Sequence, residues 1–437
     1  MNSANEENME NMKDDIENIE SDTNVVHWTS GDVNIDKLIQ NSQLNANSKY
    51  QLIEWIEYSD FENIEFIAYG GFGSVYKAIW KNRAIKKSLW QTQKGEWDDD
   101  NGKEVAIKKL QNATNVSLEL LNEINNNLKL NYEFCNKIYG VTRDPQDKGY
   151  AIVTEFQNDG NLRDLIKKNH HILNWRLIFR ILYNISDGLS AIHRKNYLHK
   201  DFHSGNILNK IFSSEIVRSV VSDFGLCCPA GQSSEDKKLH GVLPFMAPEV
   251  LRGGEFTKAA DVYGFGMLML EIISGKVPFA DRDYDLVLAL DICKGERPPI
   301  PEYTPKPYAD LMKRCWDPIP SNRPTARELQ NQINVWNNIF SNNSLNDRQE
   351  FSQEQENRWK VRLAELATNS HSLKKSQNFL ASKKLDYSKQ LTQLIETGEV
   401  EMIANGNNSN TLYSKQLTQL LETDEVEMIA NGDNSTL

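Results

Sequence analysis

Long apolar runs are missing from this chain: none of its 437 residues falls in a stretch approaching 18 consecutive apolar side chains, the length a bilayer-crossing helix needs. No membrane segment is therefore expected. An excess of basic residues is missing too. Sixty-one acidic side chains stand against 49 basic ones, a formal charge of −12, whereas affinity for nucleic-acid phosphates comes from Lys and Arg displacing counterions. Nucleic acid is not an expected partner. Cysteine is scarce: Cys135, Cys227, Cys228, Cys293 and Cys315 are odd in number and show no C-x-x-C spacing, so zinc and redox chemistry are not indicated. Free, mostly buried thiols are the expectation. Glycine (23) and proline (13) are too few for a collagen-like or wholly disordered chain. The N-terminus is acidic and Asn-rich where a secretory leader would be basic and then apolar, which points to the cytoplasm, or the nucleus as well.

What the chain has is organised by position. Residues 1–24 hold eight acidic side chains against Lys13 alone, with few large apolar residues, and cannot bury enough surface to offset their ordering entropy. Residues 1–50 are read as an acidic, disordered N-terminal segment. From Phe61 the texture changes to apolar runs punctuated by Gly, Pro, Asn and Asp, which marks a compact domain over 61–338. Its first part reads as strands at 64–68, 74–80, 104–110 and 150–156, rich in Val, Ile, Tyr and Phe, with one helical stretch between them. After Gly160 helices dominate: Leu177, Ile178, Ile181, Leu182, Ile185, Leu189 and Ile192 recur at three and four residues. Residues 339–386 read as a polar, charged linker with modest helical content. Residues 387–437 read as an acidic tail in which 387–409 returns at 413–435 with three differences. Two copies are too few for a stacked solenoid. The strip Leu391, Leu394, Ile395 and its counterpart Leu417, Leu420, Leu421 could dock on a partner.

The chemistry-bearing residues lie inside 61–338. Ile67-Ala68-Tyr69-Gly70-Gly71-Phe72-Gly73-Ser74-Val75 separates two predicted strands. Glycines let a backbone approach phosphate closely, and strand-turn-strand suits a flap over a nucleotide. A later strand, Val105-Ala106-Ile107-Lys108, ends on a lysine able to grip phosphate oxygens; Lys86 follows a similar Ala84-Ile85 but runs into the loop signature of 97–102. Lys108 is preferred. Further on come His199-Lys200-Asp201-Phe202-His203-Ser204-Gly205-Asn206 and Ser222-Asp223-Phe224-Gly225. Taken singly, Asp201 could cap a turn, Asn206 could satisfy a loop and Asp223 could end a strand. In this order and spacing they supply one base and two oxygen ligands for Mg²⁺.

These motifs match the signature set of the eukaryotic protein kinases, which the chain resembles from about Phe61 to Trp336. The likeness continues through Met246-Ala247-Pro248-Glu249, Asp261-Val262-Tyr263-Gly264 and Cys315-Trp316-Asp317, and is similar in flavour to the tyrosine-kinase-like group. The resemblance implies an α+β, bilobal fold with an antiparallel-sheet N-lobe and a mainly helical C-lobe. It gives Asp201 the role of proton acceptor, Asn206 and Asp223 the Mg²⁺, and Lys108 the α and β phosphates of ATP. Lys108 should pair with a glutamate on the following helix, Glu123 in preference to Glu119 four residues earlier. ATP would meet Ile67, Ala68, Gly70, Gly71, Gly73, Val75 and Ala106, with Thr154 at the rear. The backbone of Glu155 and Gln157 would face adenine, and Asn161 the ribose. Glu249 is expected to pair with Arg323 and, with Asp261, to serve structure.

Ala68 and Lys200 are among the positions that depart from the family pattern. Ala68 replaces the first loop glycine. Lys200 replaces an arginine whose bidentate fork would clamp a phosphorylated loop, a geometry lysine cannot reproduce. Between Leu226 and Phe245 only Ser233 and Ser234 could accept phosphate. The implied activity is transfer of the ATP γ-phosphoryl group to Ser or Thr, or Tyr, of protein substrates. The alternative is a pseudokinase that binds nucleotide or a partner without turnover. The acidity itself belongs to the ends: residues 25–386 carry a net charge of only +1, compatible with a polyanionic ligand.

Overall fold

In the computed structural model the described residues are 29–46, 52–70, 73–81, 102–110, 116–213, 215–231, 239–341, 350–368 and 382–385. The first part contains helix α1 (Val33–Leu44), strands β1 (Glu54–Trp55), β2 (Phe61–Gly70), β3 (Gly73–Trp80) and β4 (Lys103–Leu110), helix α2 (Leu118–Lys129), and strands β5 (Ile138–Arg143) and β6 (Tyr150–Glu155). One sheet takes the order β1-β5-β6-β4-β3-β2. Its neighbours are antiparallel except that β1 joins β5 in parallel.

Alternation along these strands sorts the side chains. The register pairs Val75 with Lys108, Lys108 with Ile152, and Ala106 with Thr154, placing them on one face. The opposite face carries Ala78, Val105, Ile107, Ala151 and Val153, which close a core with Phe61 and Trp80. On the Lys108 face, Ile152 packs with Leu120 and Ile124 of α2. The sheet thus offers one side to a core and the other to α2 and the second lobe.

That second lobe is helical. It holds α3 (Leu162–Lys168), α4 (Trp175–Arg194), the short strands β7 (Tyr197–Leu198), β8 (Ile207–Ser213), β9 (Ile216–Val221), β10 (Cys228–Pro229) and β11 (Leu239–Gly241), then α5 (Pro248–Leu251), α6 (Lys258–Ser274), α7 (Leu286–Lys294), α8 (Lys306–Cys315) and α9 (Ala326–Ser341). All seven apolar residues of the predicted helical face, Leu177 to Ile192, are buried on α4. The expected α+β arrangement, a largely antiparallel sheet followed by a helical lobe, is what the chain adopts.

Two expectations need correction. Residues 1–50 were expected to lack order, yet Asp32 caps α1 by accepting from the Asn34 and Ile35 amides, and Ile35 and Ile39 are buried beside Leu120 and Val141. The acidic side chains of that region concentrate before residue 24; averaging over fifty residues hid an i, i+4 isoleucine pair. Residues 339–386 were expected to be a polar linker, yet α10 (Gln353–Thr368) docks on the helical lobe. Trp359 is fully buried, stacks on Trp175 at 5.1 Å and 6°, and donates from Nε1 to the Ile272 carbonyl at 3.1 Å. A last strand, β12 (Lys383–Leu385), pairs antiparallel with β11.

The five cysteines are free; four are buried and Cys228 is half-buried. Burial pushes the Cys135 thiol up to about 12 and Cys293 up to about 11, so neither is a nucleophile at neutral pH. Among the described residues no helix is long and apolar enough to cross a membrane. Gly71, Lys86, Ser233, Ser234 and the repeats of 387–437 lie outside the described residues.

Candidate active site

Lys108 sits where the sheet faces α2. Its Nζ lies 2.7 Å from Glu123 Oε1 and 3.0 Å from Asp223 Oδ1. Burial works against the ammonium, but the carboxylates of Asp223 and Glu123 outweigh it and hold Lys108 above the usual lysine range. Burial, with Asp223 adding to it, pushes the Glu123 carboxyl up against the opposing pull of Lys108. Glu119, the other candidate, is exposed. Helix α2 is positioned for this pairing at both ends: Ser117 accepts from the Leu120 amide at its start, and Asn126 Nδ2 donates to the Phe224 and Cys227 carbonyls, each at 2.9 Å. Lys108, Glu123 and the Asp223 loop are therefore tied together.

Asp201 and Asn206 occupy the loop after β7. Asn206 Nδ2 donates to the Asp201 carbonyl at 2.9 Å and to its Oδ2 at 3.1 Å. Asp201 Oδ1 is buried, lies 3.4 Å from His203 Nε2, and completes no hydrogen bond. Burial alone would raise the Asp201 carboxyl; His203, His199 and the Asn206 hydrogen bond outweigh it and hold the group below the ordinary carboxylate value of 3.8. It is an ionised acceptor at neutral pH. With its amide nitrogen turned to Asp201, Asn206 keeps its amide oxygen without a partner among the described residues.

The loop holds an uncommon backbone. Lys200 has φ 69° and Asp223 φ 64°, left-handed values that cost a non-glycine residue about 1–2 kcal/mol. Asp261 of α6, fully buried, offsets the cost at Lys200 by accepting from the amides of His199 (2.9 Å) and Lys200 (3.0 Å), and contacts His193 Nε2 at 2.9 Å. The Asp201 amide donates to His199 Nδ1, and His199 Nε2 meets the Ser222 carbonyl at 3.1 Å. One ring nitrogen accepts and the other donates, the neutral tautomer, and burial lowers the His199 pKa below 6.5 against three nearby aspartates.

The predicted nucleotide contacts divide. Ala68 pairs with Val75, and Val75 with Lys108, while Ile67 falls in a β-bulge of the β2–β3 ribbon. Gly70 pairs with Gly73 at the ribbon's end. A Cβ on Gly73 would sit 1.8 Å from the Lys109 carbonyl oxygen, so strand pairing itself requires glycine there. Thr154 is half-buried at the end of β6. The Glu155 amide is taken by the Lys137 carbonyl at 2.8 Å and its carboxylate by Arg218 at 2.8 Å. Among the described residues the Gln157 N–H has no partner, leaving a donor on the segment joining the lobes. Asn161 spends its side chain capping α3, accepting from Asp164 N and donating to Asp164 Oδ2.

Residues 61–333 match the family described as protein tyrosine and serine/threonine kinase. The chain belongs to that family. Similar proteins include a "probable serine/threonine-protein kinase" of Dictyostelium discoideum, 30% identical over 50% of this chain and 15% of that protein. The serine/threonine/tyrosine-protein kinase HT1 of Arabidopsis thaliana is 29% identical over 59% of this chain and 61% of its own length. The dual specificity protein kinase splA of Dictyostelium is 28% identical over 66% of this chain and 12% of its length. The chain thus spans less than two thirds of each of these relatives.

Two groups of this kinase domain carry structural weight. Arg323 grips Glu249 with both terminal nitrogens. The second was missed in sequence: Glu271, 2% exposed, accepts from Ser204 Oγ at 2.6 Å and pairs with Arg163 at 3.1 Å, bracing the Asp201–Asn206 loop. Its signal was available, since Glu271 and Asp261 are the sole carboxylates of the apolar helix α6.

Proposed function

We propose that the chain is an active, Mg²⁺-dependent protein kinase of the tyrosine-kinase-like group, acting on Ser or Thr hydroxyls of proteins. The observation that carries the reading is the combination of Lys108 bound by Glu123 and Asp223 with a buried, ionised Asp201 whose Oδ1 accepts no hydrogen bond. A passive scaffold has no need of both. ATP with Mg²⁺ would supply the transferable phosphoryl group and the charge that neutralises its oxygens. Lys108 would hold the α and β phosphates, and Asn206 and Asp223 the cation. Asp201 would orient the acceptor hydroxyl and take its proton. Most of the rate would come from positioning and electrostatics, with no covalent intermediate on the protein.

Incubation with Mg²⁺, labelled ATP and a generic acceptor protein, beside Asp201→Asn, tests this. Label on Ser or Thr that disappears in the variant is the expected result. Equal incorporation by both proteins, or none by either, would overturn it.

A further inference from the structure

Strand β12 comes from far outside the family match, yet it lies along β11 in register: Leu239 opposite Leu385, His240 opposite Lys384, Gly241 opposite Lys383. Gly241 is next to the base. A Cβ on Gly241 would stand 3.8 Å from Asp201 Oδ1. The chains run antiparallel, so the residue one step beyond the Gly241–Lys383 pair is Ser382, at the Asp201 end of the ladder. Its hydroxyl oxygen is buried and makes no hydrogen bond, and the same holds for Asp201 Oδ1 and His203 Nε2. Ser382 Oγ, a donor with no hydrogen-bond partner, and Asp201 Oδ1, an acceptor whose neighbour is the His203 ring at 3.4 Å, are both buried at the same end of one short ladder and are complementary. At the far end, Leu385 packs against the helical-lobe core, which fixes the register.

We propose that residues 382–385 are an intramolecular acceptor segment, in which added-strand pairing seats the backbone and Ser382 is the hydroxyl that the kinase phosphorylates in its own chain. The inference rests on the kinase reading above. The step balances simply. Ser382 Oγ bonds to the γ-phosphorus of ATP and the bond from that phosphorus to the β,γ-bridging oxygen breaks. The bond's electron pair leaves with ADP, and the hydroxyl proton passes to the Asp201 carboxylate. Main-chain pairing supplies affinity independent of side-chain identity, while the side chains at its ends set register. The segment is tethered, so its effective concentration at the lip is high and set by the chain, not by the amount of protein.

The test uses the full chain with Mg²⁺-ATP and a generic acceptor protein in the same tube, with phosphosite mapping after cleavage by a protease that spares Lys. Phosphate on Ser382, at a fractional rate unchanged when the protein is diluted about a hundredfold, is the expected result for a tethered acceptor. Leu385→Asp, losing an apolar contact worth at least 1.4 kcal/mol, should slow Ser382 labelling about tenfold. Leu385→Met should restore it, with thermal melting confirming that both variants fold. The proposal fails if the generic acceptor is labelled while Ser382 is not, if the Ser382 rate scales with protein concentration, or if Leu385→Asp labels as fast as wild type. Absence of label on either acceptor would overturn the kinase reading and this inference with it.

Discussion

Arg323 holds Glu249 by a two-pronged contact, Nη1 to Oε1 at 2.7 Å and Nη2 to Oε2 at 2.8 Å, with the arginine side chain wholly buried. Its Nε donates to the Asp317 carbonyl, and Nη1 donates to the Ala259 carbonyl as well. Removing one partner of such a pair strands a buried charge. Arg323→Ala should lower stability by about 3–5 kcal/mol, read as a shift of the urea midpoint, and Arg323→Lys should recover only part because lysine lacks the planar fork. A loss within measurement error for Arg323→Ala would contradict the geometry.

Lys108 has two carboxylate partners, so it can be tested from either side. Glu123→Gln removes one of the two carboxylates that hold the lysine, and turnover should fall about a hundredfold through lost phosphate positioning, while the urea midpoint moves little. Glu119→Gln, on the exposed side of the same helix, should match wild type. Equal effects of the two substitutions would assign the pair wrongly.

The pH dependence follows from signs. His199 has a folded pKa below 6.5, so between that value and 6.5 the unfolded chain binds the extra proton and stability rises with pH. The contribution is present above 6.5 and is lost as pH falls through the window. Asp261, Asp201 and Asp223 oppose the shift, and burial wins. Wild type should therefore lose more stability than His199→Asn when urea unfolding is moved from about pH 7.5 to about pH 5.5. Asp201, held below 3.8, stays ionised across that range, so its protonation should produce no acid limb in the rate.

Trp359 docks α10 through the stack on Trp175. Trp359→Ala should cost about 3–5 kcal/mol and remove a near-ultraviolet circular dichroism signal, although residue 359 lies beyond the 61–333 family match. An unchanged melting temperature would mean that the helix is dispensable.

Residues that meet close along the chain, or that obey strand alternation, were readable in advance. Lys108 could be told from Lys86 by the better strand around it, and Glu123 from Glu119 by its apolar flanks. Strand β5 went unread because Gly140 interrupts it, yet that glycine held the clue: a Cβ there would lie 2.0 Å from the Glu54 carbonyl oxygen, where β1 passes. Ile39 and Trp359 were illegible for a different reason. Each has an ordinary polar neighbourhood in sequence, and its burial depends on a surface built by residues far away in the chain. Pairing of β12 with β11 joins segments more than a hundred residues apart with no local pattern to announce it.

The Trp175–Trp359 stack also orders events during synthesis. Trp175 opens α4, the central helix of the second lobe, and its amide donates to Glu356 Oε2 at 2.8 Å, far along the chain. A growing chain therefore carries Asp201, Asn206 and Asp223 out of the ribosome well before the residues that cover Trp175. At about 5–20 residues per second, the nascent lobe spends many seconds with the Trp359-facing side of that aromatic surface uncovered.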